Sequence, residues 1–394
     1  MRHHLKITKI EIHEVQWETP DLATDDYYNG FNLVYQPGAV WKRTEYILQI
    51  HTDQGITGEF VGGGRSDYVQ MGMFMHYLIG KNPLQRELIY NDVKRALRKH
   101  DRMSMGPVDI ALWDIAGKLY NAPVWELLGG YRTALPAYAS TYHGEEAIAG
   151  VTGGLESPEA FADFAIRCRE MGYRAFKIHG WSHAPIRREV ENVLTVRARV
   201  GDTMDLMLDP ACEYETFADA LRVGRACDEA DFFWYEDPFK DGGISCFAQR
   251  KLRQMIKTPI LMGEHIRTLE PKVDAVVAEA TDYMRVNPTY DLGITGAIKV
   301  AHAAEGFGLD VEIHAPGPAQ RHVMAAVRNA NYYELGLVHP IAPSLASPIY
   351  SNYSDALDAI DENGCVSVPD GPGLGVDIDW DFVRAHQIGV VVYP

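Results

Sequence analysis

Cysteine is scarce in this chain. The five residues (Cys168, Cys212, Cys227, Cys246 and Cys365) form no CxxC pair and no metal-type spacing. Such an odd, sparse set argues against a disulfide scaffold and predicts reduced thiols in a cytoplasmic protein. Long apolar runs are missing too: nothing approaches the roughly 18 residues of a membrane-spanning helix. The opening MRHHLKITKIEIHEV lacks the apolar core of a signal peptide and reads as a first strand. Positive charge is in deficit. The 37 Lys and Arg stand against 54 Asp and Glu, a formal net charge of −17, and no basic cluster offsets it. Such a surface repels nucleic acid and anionic membrane. An anionic substrate would need local help from a metal or basic groups.

What is present is periodicity. Residues 5–17 and 44–51 alternate as strands and flank a polar, aromatic-rich loop; Thr52–Gly55 is a turn into the hairpin partner ITGEF. Helical spacing follows near 68–79 and 83–99, and again in VDIALWDIAGKLYN from about Val108. This predicts an α+β domain over residues 1–134. From Leu135 short strands alternate with amphipathic helices: LPAYAS, AFKIHG, DLMLDP, FFWYEDP, PILMGEH, YMRVNP, DVEIH and YYELGL. Ser157-Pro158 is a helix start, with an N-cap and Pro at the first helical position. Eight βα units predict an α/β fold, a closed TIM-type (β/α)8 barrel over residues 135–340, with its site at the strand C-termini. After Pro340 the alternation stops. Residues 341–394, with a Pro/Gly-rich turn near 369–375, are expected to return to the N-terminal domain.

Polar residues crowd the predicted strand ends. Asp209, Glu236 and Glu264 lie 27 and 28 residues apart, each closing an apolar run. Carboxylates converging from successive strands repel unless a cation holds them, and hard oxygen donors suit Mg²⁺. Lys177 and His179 share one strand face by the period of two. His265, Asn287, His314 and Glu334 end later strands. Asp237 reads as a turn residue before Pro238, and Cys212, with no base evident beside it, is not read as a nucleophile.

Taken together, these strand ends, VDIALWDIAGKLYNAPVWELLGG and VPDGPGLGVDID resemble the enolase superfamily in its mandelate racemase subgroup. The resemblance spans essentially the whole chain. It implies an enolase-like barrel with an α+β capping domain built from both ends of the chain. It implies a carboxylate substrate bound to Mg²⁺ on Asp209, Glu236 and Glu264, with α-proton abstraction through an enediolate. Lys177, His179, His314, Asn287 and Glu334 would be the catalytic set, and the chain a homo-oligomer. Two positions depart from the family's pattern. His179 stands where a lysine base is usual, and Asn287 where an aspartate pairs with the seventh-strand histidine. His265, Trp181, and Tyr27, Tyr28 and Arg65 from two capping-domain loops (residues 18–32 and 61–67) are expected to meet substrate. The reaction expected is dehydration of a sugar acid, an aldonate or aldarate, to a 2-keto-3-deoxy acid. A racemase or epimerase, a lactone cycloisomerase, and a catalytically decayed metal-binding scaffold are the rivals.

Overall fold

The computed structural model describes residues 4–25, 32–183 and 185–394. Near the N-terminus β1 (Ile7–Thr24), β2 (Leu33–Thr52) and β3 (Thr57–Val61) form an antiparallel meander. The β1–β2 pairing runs from Ile7 opposite Thr52 to Thr24 opposite Leu33. The first part of the loop expected at residues 18–32 is therefore strand, as far as Thr24. Pro20 interrupts the ladder without ending it. The register shifts between Pro20 and Leu22, Asp21 takes φ 57°, and its carboxylate accepts from the Gly38 N–H at 2.7 Å. Tyr27 and Tyr28 lie outside the described residues. The second expected loop shortens to Gly62–Gly64, because the helix Arg65–Met71 starts at once; Asp67 accepts from the Gly64 N–H at 2.8 Å.

Eight parallel strands follow among the described residues: β4 (Ala134–Thr141), β5 (Ala175–Ile178), β6 (Asp205–Leu208), β7 (Trp234–Glu236), β8 (Ile260–Met262), β9 (Tyr283–Val286), β10 (Asp310–Ile313) and β11 (Ala330–Val338). β11 pairs in parallel with β4 and closes the barrel. The barrel is therefore the expected fold class, with alternate residues pointing inward. Tyr138, Met207, Trp234 and Leu261 pack inside it, and Trp234 meets Tyr138 edge-on at 5.5 Å. This plug fills the lower barrel, so the polar side chains collect above it, at the strand C-termini.

The tail touches both sheets. β12 (Cys365–Ser367) pairs antiparallel with β4, and β13 (Gln387–Tyr393) pairs antiparallel with β1. The helix Met105–Tyr120 joins the meander to the barrel. Its buried Asp109 accepts from the Thr295 N–H at 2.8 Å and the Thr295 hydroxyl at 2.7 Å, at the start of the helix Gly293–Gly306. Among the described residues no helix is long and apolar enough to cross a membrane.

Candidate active site

The strand ends deliver their side chains to one cavity of about 510 Å³. Lys177, His179, Asp209, Glu264, His265, His314 and Glu334 line it, together with Arg43 and Leu33 of β2. Lys177 is at its floor, wholly buried. Its Nζ lies 3.1 Å from Asp209, 3.2 Å from Glu236 and 3.0 Å from Glu334. Burial alone would lower its pKa; Glu236 and Glu334 outweigh that and hold the ammonium well above the usual lysine range. Arg285, also fully buried, donates to Glu236 at 2.6 and 3.1 Å, to Glu334 at 3.2 Å and to the Tyr138 hydroxyl at 3.1 Å. Glu334 is held well below the usual carboxylate range by Lys177 and Arg285, against its burial.

His179 is held at both ring nitrogens. Its Nδ1 lies 2.6 Å from the Thr141 carbonyl oxygen, which can only accept, so Nδ1 carries the hydrogen. The other nitrogen, Nε2, lies 3.3 Å from the Asp209 carboxylate. An imidazolium formed there gains an ion pair at once.

His314 has its tautomer set by Asn287. Thr289 N–H donates to Asn287 Oδ1 at 2.8 Å, which orients the amide. The amide Nδ2 then donates to His314 Nδ1 at 2.7 Å, so the hydrogen is on Nε2, which faces Glu264 at 3.3 Å. Burial lowers the His314 pKa further. His179 thus has a carboxylate at its Nε2, and His314 presents a donor to the cavity. Asp291, four residues after Asn287, does not reach the imidazole. It takes Lys272 at 2.6 Å and the Asn287 and Thr268 N–H groups at 2.9 and 3.0 Å.

The donor set suits a cation. Asp209, Glu236, Asp237, Glu264 and Glu334 are five carboxylates against two permanent cations, Lys177 and Arg285. Burial pushes Glu236 up to about 8, with Asp209 adding to the effect. Asp237 is more than the expected turn residue. It is buried, neither carboxylate oxygen has a hydrogen-bond partner, and burial and the nearby Glu236 and Glu264 hold it well above the usual range. Its oxygen, one of Glu264 and a ring nitrogen of His265 lie within 4.8 Å of one another. Surplus buried negative charge with orphaned oxygens is what a divalent cation would relieve. Asp209 and Glu236 contribute to that surplus while contacting Lys177.

Two expected contacts fall elsewhere. Trp181 lines a neighbouring cavity with Tyr35 and Ile148, its indole N–H on the Glu145 carbonyl at 3.2 Å and its ring under Arg188. Arg65 is exposed on an outer depression with Val69 and Met73, away from the carboxylates. Burial and surrounding carboxylates raise the Cys212 thiol, against any thiolate role. His143, in the loop after β4, lines the cavity unanticipated. Its ring is 5.2 Å from that of His179, its Nδ1 has no partner, and burial lowers its pKa to about 3. Arg285 carried a signal that sequence reading passed over: it shares the inward face with Asn287, two residues on.

A capped (β/α)8 barrel with carboxylates, lysine and opposed histidines at its strand ends defines an enolase-type protein. Residues 34–129 match the mandelate racemase / muconate lactonizing enzyme N-terminal domain, and residues 160–382 the enolase C-terminal domain-like family. The chain belongs to the mandelate racemase / muconate lactonizing enzyme family. It is 28% identical over 384 residues to D-xylonate dehydratase of Haloferax volcanii, covering 87% of this chain and 85% of that one. It is 28% identical over 364 residues to D-galactarolactone cycloisomerase of Agrobacterium fabrum, covering 88% and 92%. The solved D-glucarate dehydratase from Agrobacterium tumefaciens, complexed with magnesium, superposes with a TM-score of 0.85 at 28% identity, over 98% of this chain and 100% of that one.

Proposed function

We propose that this chain is a Mg²⁺-dependent hydro-lyase that removes the α-proton of a sugar acid and expels the β-hydroxyl, giving a 2-keto-3-deoxy acid. The observation that carries the reading is the opposed pair of histidines, each held by different partners. Nε2 of His179 lies beside the Asp209 carboxylate, which steadies the imidazolium that a base becomes. Across the cavity the Asn287 amide holds His314 as a donor, suited to a hydrogen bond to substrate or leaving group. A two-base racemase needs both groups to alternate between acid and base. Asn287 opposes that on the His314 side, which favours elimination over racemisation. The dehydratase relatives support the same choice; the cycloisomerase relative keeps lactone chemistry as the second reading.

Asp209, Glu236 and Glu264 would hold the Mg²⁺, with Asp237 and His265 adjoining. When bound, the cation supplies charge neutralisation for the substrate carboxylate as the α-carbon loses its proton. Lys177 adds a fixed positive charge at the cavity floor. Thr141 keeps the base oriented, and Asp209 steadies the imidazolium. The test is His179→Asn in D₂O. Wash-in of deuterium at the α-carbon should stop, with substrate binding retained. Continued exchange would remove His179 as the base.

A further inference from the structure

We infer that the substrate carries a single carboxylate: the cavity is built for an aldonate rather than an aldarate. This rests on the sugar-acid reading above. The acid group that reacts belongs at the floor, beside Lys177, Asp209 and Glu264. A six-carbon diacid would bring its second carboxylate against the remaining lining.

The rest of the lining includes Leu33, Pro316, Leu337 and Leu345, with His143 and Asn32 as polar groups. His143 is neutral, with an unpartnered Nδ1, which suits a hydroxyl. The Asn32 amide already donates to Ser182 at 3.1 Å and Glu213 at 2.8 Å. Arg43 is the only Lys or Arg besides Lys177 among the described residues lining the cavity. Its charge is already matched. One nitrogen forms an ion pair with Glu45, another donates to the Leu345 carbonyl at 2.7 Å, and the guanidinium lies over the Trp17 ring. A second carboxylate would give up water for described wall residues that return no free charge, in a site already rich in carboxylates.

The experiment compares gluconate with glucarate, which share a carbon skeleton and differ at one terminus, using the Mg²⁺-loaded enzyme. Formation of 2-keto-3-deoxy acid and calorimetric binding are both read. The expected result is kcat/KM for the aldonate at least about tenfold above that for the aldarate. Equal or better turnover of glucarate overturns the inference and leaves the dehydratase reading standing. Turnover of neither overturns the dehydratase reading for this pair, and calorimetry then decides. Tighter gluconate binding supports the single-carboxylate site; equal or tighter glucarate binding, or binding of neither, sinks it. Glu45→Gln frees Arg43 from its partner and should raise the glucarate-to-gluconate binding ratio about fivefold or more. An unchanged ratio would overturn the assignment of Arg43.

Discussion

An amide at position 287 decides which nitrogen of His314 carries hydrogen. A carboxylate there would accept from an Nδ1–H and stabilise the imidazolium. The Asn287 amide, oriented by the Thr289 N–H, instead donates to Nδ1 and disfavours it. Burial acts in the same direction on His314. Asn287→Asp should therefore raise the His314 pKa by about one unit or more, because the new charge favours the protonated ring. An NMR titration of the His314 ring, in the mutant and the parent, measures it. An equal or lower pKa in the mutant would mean that the amide does not set the protonation state. The substituted carboxylate can still accept from Thr289, so the local turn should persist.

At the scale of elements, the site depends on how the helix Met105–Tyr120 is fixed to the barrel. Asp109 satisfies two donors of Thr295, and Trp113 donates to the same hydroxyl at 2.9 Å. The fit is close: a Cβ added at Gly293, which has φ 90°, would lie 2.2 Å from Asp109. Asp109→Ala leaves a buried N–H and hydroxyl without their acceptor and should cost about 1–3 kcal/mol. A lower urea midpoint with an unchanged slope is the expected signature; an unchanged midpoint would remove the anchor. The helix itself is legible in the sequence from its apolar spacing, but its contact with Thr295, 186 residues away, is not. Similar limits apply elsewhere. Asp209, Glu236 and Glu264 are legible because each closes a short apolar run. The same period of two that pairs Lys177 with His179 also points to Arg285. His143 follows no pattern, since a loop after a strand has no period. The extension of β1 past Pro20 is hidden because proline argues against a strand interior. It is tolerated because β13 pairs with β1 only from Ile10 to Val15, so Pro20 lies on a free edge.

For the molecule as a whole, the carboxylate surplus at the barrel mouth links folding to cation and pH. Glu236 is pushed up to about 8 from an ordinary 4.5, chiefly by burial. Without a cation, the folded state therefore holds a proton that the unfolded chain has already lost between those values. The contribution of Glu236 to stability is present below about 4.5 and declines as pH rises toward about 8. A divalent cation reverses this. It competes with that proton, so its affinity should grow from pH 6 to pH 8, and binding only the folded state raises stability by about 2.7 kcal/mol at a hundredfold excess over Kd. Thermal unfolding with Mg²⁺ and with a chelator, at matched ionic strength, should show a rise of a few degrees at pH 8 and a smaller one at pH 6. Matched ionic strength matters because a net charge of −17 responds to salt anywhere on the surface. Glu236→Gln should abolish the Mg²⁺-specific rise at both pH values, while Glu146→Gln, whose residue makes an exposed ion pair with Arg188, should keep it. A rise that survives Glu236→Gln, or one that shrinks from pH 6 to pH 8, would show that the stabilising cation binds away from the barrel mouth.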